Sequence, residues 1–361
     1  MAPQTRALFT LNEGKELIFV SATYSIGLDT NVFTRSADQE SFTQNFSFSA
    51  DYSRQAGLIS VTANIGTSTG RFESIRNQDF ADPSLSVAFR KRYGRTTGSL
   101  RLQTRRESQP DPDAGQRTEA WNHNMALDVR YPVNDRYFFT NGFSALTKLY
   151  TNKSSFSDLT SFSDSIAINY AYTSKLDLNA AYKFGYSQTS HNTNAFDQSL
   201  TVGASGGILP KLSGSLNMGV TRRANETSIG IDEVFTGFSS GTSLKWLYSR
   251  RLTFTADLNS DFSTTSTDIT VLRTSGGLHA TASLSSKYIV GSGITYTISN
   301  FLGIAGAGRR DEMLQFDASL GLALTTHIRT SVAYSYMLNR SNFPGSDFER
   351  HTAAFTITAT Y

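Results

Sequence analysis

The sequence predicts an all-β fold: a transmembrane antiparallel up-and-down β-barrel of about 18 strands (16–18). Three observations carry that expectation. Apolar and polar residues alternate with period two from about Leu17 to Tyr361, which is strand spacing and not helical spacing. The alternating runs last about ten residues or more, long for a globular strand and right for a tilted strand crossing a bilayer. The connections alternate between tight and long, the asymmetry of outer-membrane barrels.

Taken in order, residues 1–16 lack the pattern and are read as a short periplasmic N-terminal segment, and residues 17–361 as one transmembrane barrel domain. Met1-Ala2-Pro3 runs directly into polar residues without an apolar stretch, so an export signal is expected to have been removed already. Tight connections fall near Arg54-Gln55-Ala56-Gly57, Tyr93-Gly94-Arg95, Pro132-Val133-Asn134-Asp135, Thr173-Ser174-Lys175, Leu209-Pro210-Lys211, Ser249-Arg250-Arg251, Ser285-Ser286-Lys287 and Thr325-Thr326-His327. Longer polar stretches occupy 31–40, 72–83, 108–117, 150–160, 190–196, 224–232, 264–268, 303–311 and 339–348. These connections separate roughly 18 strands, an even number with both termini on the short-turn, periplasmic side.

The alternation is explicit within single strands. Leu176, Leu178, Ala180, Tyr182, Phe184 and Tyr186 interleave with Asp177, Asn179, Ala181, Lys183, Gly185 and Ser187. The last residues, Phe355, Ile357, Ala359 and Tyr361, alternate with Ala354, Thr356, Thr358 and Thr360, and their aromatic end resembles the C-terminal strand signal of outer-membrane proteins. Tyr52, Tyr93, Tyr131, Tyr137, Tyr172, Tyr248 and Tyr288 stand next to short turns, where an aromatic girdle would meet lipid headgroups. Pro83, Pro110, Pro112, Pro132, Pro210 and Pro344 fall at expected turns or loops, which leaves the long strands their ladders.

Composition removes several other classes. The mean hydropathy of −0.29 and the lack of any apolar stretch near 18 residues exclude a transmembrane helix but not a barrel, whose two faces average out. Without cysteine there are no disulfides or thiolate metal sites. The net charge of +3 is spread without a basic block, so nucleic acid is not an expected partner. No repeat of propeller length appears. The face opposite the apolar one is mostly Ser, Thr, Asn, Gly and Ala, which suits a hydrated lumen better than a dry sandwich core.

Signals for catalysis are weak. His123, His191, His279, His327 and His351 are scattered and form no metal-ligand spacing. Asp111-Pro112-Asp113-Ala114-Gly115 lacks the downstream ligands of a calcium loop, and Gly291-Ser292-Gly293 does not join a strand to a helix. No enzyme activity, cofactor or metal is expected. Alternation assigns to the inward, pore-lining face Arg90, Arg92, Arg101, Gln103, Arg105, Asp128, Arg130, Lys183, Arg223, Lys245, Asp257, Asp261 and Asp317, together with Asn217, Asn259 and His279. Strands around 90–130 concentrate positive charge, while Asp257 and Asp261 belong to a more distant wall. A basic stripe in a pore favours anionic solutes. The same charges equally serve to hydrate a wall and balance one another, and a one-residue shift of register would turn part of the set outward.

The segment Gly27-Leu28-Asp29-Thr30-Asn31-Val32-Phe33 resembles the first strand and loop of the putative β-barrel porin type 2 family, with Leu28 where an aromatic is usual. The resemblance implies an outer-membrane barrel of a group often belonging to exopolysaccharide or capsule export systems, and transfers no functional residue. On that basis the expected function is a conduit that exports an exopolysaccharide across the bacterial outer membrane. Its partners would be outer-membrane lipid and lipopolysaccharide, and a periplasmic export protein docked on basic short turns such as Arg95, Lys175 and Arg250. The alternative is a passive diffusion porin for small polar solutes or sugars, or a plugged structural or adhesive surface barrel. A conduit requires a wide lumen, a porin requires a constriction from an infolded loop, and a surface barrel conducts nothing.

Overall fold

A chain in which every second residue is apolar can satisfy its backbone in lipid only by closing its sheet on itself. The computed structural model describes residues 9–11, 16–191, 193–226, 232–306 and 308–361. The segment expected at 1–16 lies outside these apart from Glu16 and the backbone of Phe9–Leu11, as does part of the connection expected at 224–232. A three-residue strand, β1 (Phe9–Leu11), precedes the long strands β2 (Glu16–Asp29), β3 (Ser41–Ala56), β4 (Ile59–Phe72), β5 (Phe80–Lys91), β6 (Thr97–Asp111) and β7 (Gln116–Pro132). They continue with β8 (Tyr137–Tyr150), β9 (Leu159–Ala171), β10 (Leu176–Thr189), β11 (Asn194–Leu209), β12 (Leu212–Glu226) and β13 (Asp232–Leu247). The last are β14 (Leu252–Thr264), β15 (Thr270–Ser283), β16 (Tyr288–Phe301), β17 (Arg310–Ala323), β18 (Ile328–Ser341) and β19 (Phe348–Thr360).

Each strand from β2 onward pairs antiparallel with its chain neighbours, and β19 returns to β2 with Phe355 opposite Ile26 and Ile357 opposite Tyr24. The result is a closed ring of 18 strands, β2 to β19, and β1 adds a short pairing to Glu16–Ile18. Closure removes the sheet edge that would otherwise leave donors and acceptors unpaired in hydrocarbon. Ile26, Phe46, Ile65, Ile166, Leu200, Val220, Leu278 and Val332 are large apolar side chains exposed on the outer face. On a soluble protein such a surface would be an aggregation hazard; around a barrel it is the lipid contact. Tyr93, Tyr131, Tyr137, Tyr172, Tyr248 and Tyr288 are exposed near the short turns, where a girdle belongs.

Local differences from the sequence expectation have simple causes. Pro83 lies inside β5 and not in a loop, paired in register with Thr67 of β4. The ladder between β5 and β6 ends at Ser84 and Arg105, one residue short of it, and a residue at the end of a ladder is where a missing N–H is tolerated. His123 and His351 sit on the outer face: Trp121 stacks on His123, and the Tyr334 hydroxyl lies 2.8 Å from His351 Nδ1.

Two departures from a plain ring occur at the long-loop end. The β6–β7 hairpin leaves the wall, because β6 has no β5 partner beyond Arg105 and β7 has no β8 partner beyond Ala120. The ladder between β13 and β14 stops at Ser240 and Ser260, although both strands continue further. Beyond that point inward side chains of β12 reach the next hairpin: Arg223 Nη1 donates to Thr264 Oγ1 (3.2 Å) and Asn225 Nδ2 to Thr270 Oγ1 (2.9 Å). The β14–β15 hairpin is therefore tucked to the lumen side of β12–β13. Phe262 packs in this lap, its ring 6.5 Å from Phe235, and Gly237 has no Cβ to collide with Phe262 and Leu272.

Candidate functional site

The site begins with the hairpin that leaves the wall. At its base Asp82 of β5 accepts the Ser108 backbone N–H (2.9 Å) and hydroxyl (2.8 Å), and Arg106 pairs with Glu119 across the hairpin (2.6 Å). At its tip Asp111 Oδ1 accepts the Asp113 N–H, and Gly115 adopts φ +63°, a left-handed conformation that favours glycine. The turn is short and polar, so its course is set by what it meets.

It meets the opposite wall. In a ring of 18 strands β6 and β15 are nine steps apart, and contacts between them cross the lumen. Asp113 pairs with Arg273 of β15 at 2.7 Å, and Ser266, in the β14–β15 turn, donates to Asp111 Oδ2 at 2.7 Å. Arg309 Nη1 donates to the Asp113 carbonyl at 2.9 Å. Two hairpins from opposed walls thus touch and bridge the lumen. Buried, Asp113 has its pKa raised by desolvation, which outweighs the attraction of Arg273.

Apolar packing fixes the flanks of this bridge. Ala114 packs on a buried cluster of Ala120, Tyr150 and Phe156. On the other flank Arg117 lies 4.8 Å from the Phe72 ring and 5.6 Å from Phe80. Phe72 and Phe80 belong to a second cluster with Val32, Ile75 and Phe33. That cluster is organised by the segment singled out in the sequence. Asn31 is fully buried; its Nδ2 donates to Arg35 O (2.7 Å), Asp38 Oδ1 (2.7 Å) and Glu349 O (3.2 Å). Asp29 takes a two-pronged bond from Arg350 at 2.9 and 2.7 Å.

Beneath the bridge lies a chamber of about 750 Å³. Hydroxyls of Ser144, Ser161, Ser163, Ser187, Thr295 and Thr297 line it among ionic groups. Lys183 pairs with Asp261 (2.8 Å), Arg223 binds both oxygens of Asp197 (2.7 Å each), and Arg309 donates to both oxygens of Asp311. With Arg273–Asp113 these make four ion pairs, leaving Asp111, held by Ser266, and Lys148, which rests on the Tyr150 ring at 4.8 Å. Five carboxylates and five cations therefore balance around the chamber.

The residues proposed from alternation divide into groups. Lys183, Arg223 and Asp261 line the chamber. Arg90, Arg92, Asp128 and Arg130 line a second hollow of about 690 Å³ toward the short turns, with Arg130 stacked 3.8 Å above Phe138. Phe138 is buried beneath it. Register sets Arg101, Gln103 and Arg105 on the same face of β6 as Ser99, which donates to Asp128; Lys245 stands opposite Ser213 and Thr255. Asp257 and Asp317 flank His279, at 3.9 and 4.0 Å. Arginines of β5–β7 thus oppose aspartates of β14 and β17. Lys148, Asp113, Arg273, Arg309 and Arg117 were not anticipated. Arg273 shares the parity of His279 on β15, so alternation alone could have found it; the loop residues had no such signal.

Solved structures similar to this one include outer-membrane barrels. OccK2 (OpdF) of Pseudomonas aeruginosa superposes with a TM-score of 0.53 at 12% identity, over 95% of this chain and 98% of that one. The same protein in complex with glucuronate gives 0.53 at 13%, over 98% and 100%. The FrpB iron transporter of Neisseria meningitidis (F5-1 variant) gives 0.55 at 9%, over 90% of this chain and 64% of that one. No curated protein matches the chain. A family profile matches residues 12–361, and on that match this outer-membrane barrel belongs to the Putative beta-barrel porin 2 family.

Proposed function

We propose that the barrel is a substrate-selective diffusion porin for small polar solutes, with the bridge of two opposed hairpins as its constriction and the long-loop end facing outward. The observation that carries this reading is the contact of Asp111 and Asp113 with Ser266 and Arg273 across the lumen. An unobstructed barrel of about 18 strands leaves a wide aqueous channel. Here a solute must pass beside the bridge and through a chamber of about 750 Å³, a size suited to small molecules. The arginines of β5–β7 facing the aspartates of β14 and β17 set up a transverse field that orients a charged or dipolar solute. Export of an exopolysaccharide would need the bridge to clear the lumen for a polymer; that reading rests on the resemblance alone, and no contact described above favours it.

The test is single-channel conductance in a planar bilayer, joined to swelling of liposomes in sugars of increasing size. The expected result is a small, steady conductance and a sharp size limit between mono- and oligosaccharides. Excision of residues 108–117 should raise both. Equal passage of long oligosaccharides would favour the conduit, and silence despite verified insertion would favour a plugged surface barrel.

A further inference from the structure

The chamber's ion pairs are not equivalent. The side chains of Arg223 and Asp197 are 4% and 21% exposed, and those of Arg309 and Asp311 are 11% and 6% exposed. Lys183 and Asp261, by contrast, remain 41% and 44% exposed while joined at 2.8 Å. They stand on β10 and β14, four strands apart, so the pair spans a chord of the lumen instead of tying two neighbouring strands. Neither has a second ionic partner among the described residues; Asp261 Oδ1 accepts only the N–H of Phe262. Lys148 on β8 lines the same chamber and faces no carboxylate at ion-pair distance among the described residues.

From this arrangement we infer that Lys148, Lys183 and Asp261 form a binding site for zwitterionic solutes, those carrying an ammonium and a carboxylate a few bonds apart, such as amino acids and short peptides. The inference rests on the porin reading above and narrows it. A simple anion can take Lys183 only by leaving Asp261 without a partner, and a simple cation that takes Asp261 strands Lys183. A zwitterion exchanges one internal pair for two, and Lys148 offers its carboxylate a second ammonium. Because the chamber's fixed charges balance, no net field draws in simple anions or cations ahead of it. The hydroxyl lining supplies exchangeable hydrogen bonds for the rest of the molecule. Water in the lumen screens each contact, and weak contacts are what a site that must release its solute needs.

Glycylglycine in four forms separates the chemistries: both ends free, N-acetylated, C-amidated, and both ends capped. Each is titrated against the single-channel current of the full-length barrel. The free-ended form should block at a concentration about fivefold lower than any capped form. Lys183→Met and Asp261→Asn should each abolish that preference in barrels whose folding is verified by their mobility shift on heating. The double exchange Lys183→Asp with Asp261→Lys should restore it. Equal block by all four forms in a conducting barrel, or a preference for the acetylated anion, would overturn this site and leave the porin reading standing. A barrel that inserts but passes no current would overturn both.

Discussion

Arg117 should hold one flank of the constriction, and its removal should be visible as transient opening of the pore. Arg117→Ala deletes two cation–π contacts to the wall, at 4.8 Å to Phe72 and 5.6 Å to Phe80; its 3.0 Å bond from Nη2 to the Ser108 carbonyl lies within the hairpin and does not hold it to the wall. Partly buried cation–π contacts contribute about 0.5–2 kcal/mol each. Allowing for water that rehydrates the freed rings, the docked hairpin loses about 2 kcal/mol, which raises the undocked fraction about 30-fold. The clasp of Asp113 on Arg273 remains, so the mean conductance should stay close to wild type. Brief excursions to a higher conductance should become frequent. Arg117→Lys keeps the charge but not the planar stacking, and should recover only part of the effect. Phe80→Leu combined with Arg117→Ala should be non-additive, because the two side chains share one contact. The readout is single-channel recording of barrels whose folding is checked by their mobility shift on heating. Wild-type excursion rates in a folded Arg117→Ala barrel would refute the idea that this flank latches the hairpin.

Other outcomes follow from the same contacts. Burial raises the pKa of Asp113 above its usual 3.8, whereas a released hairpin would titrate normally, so proton uptake favours the docked state. Excursions should therefore become rarer as the pH falls through the raised value, and Asp113→Asn should flatten that dependence; more frequent opening in acid would sink the reasoning. Asn31→Ala strands buried partners of the first long loop at a cost of about 2–3 kcal/mol, so protease cleavage within 31–40 should accelerate, and an unchanged cleavage rate would count against it. Phe262→Ala should cost about 3 kcal/mol in urea unfolding if its ring fills the lap between β13 and β14, and a negligible change would mean the lap is held by hydroxyls alone. Arg101→Glu on the basic wall should move the reversal potential toward cations under a salt gradient, and an unmoved potential would remove that wall from ion selection.

The barrel is legible in the sequence because a strand's period of two is local. Lys183 and Tyr182 take opposite faces whatever lies beyond them, and the ring closure only repeats that rule. The tight turns at Gly57, Pro210 and Lys287 were equally visible, since turn chemistry is written in a few adjacent residues. The inward fold of residues 108–117 was not visible. Its direction depends on Ser266, Arg273 and Arg309, which lie 155, 160 and 196 residues from their partners on the hairpin. A polar loop in water and a polar loop bridging a lumen have the same composition; only the far partners separate them. The Asp29–Phe33 segment is intermediate. Its likeness to a family can be read directly, but its physical purpose appears only when Val32 and Asn31 are found with no exposed surface at all.

A division of labour follows from where the energy resides. The ring is held by ladders that lipid makes obligatory, so its strands have little freedom to vary. The bridge has no such enforcement: it stands on one ion pair, two hydrogen bonds, two small apolar clusters and one stacked arginine. Contacts of that kind contribute about 1 kcal/mol each, enough together to hold a hairpin and small enough singly to be altered without unfolding the barrel. Moreover, the bridge needs both hairpins. The β14–β15 hairpin can reach inward only because the ladder between β13 and β14 stops at Ser260, where the Ser260 hydroxyl turns to the Phe238 carbonyl instead. Changes in that lap should therefore reach the proposed constriction through Ser266 and Arg273. On the porin function proposed above, selectivity would be set by where two of the strands decline to pair.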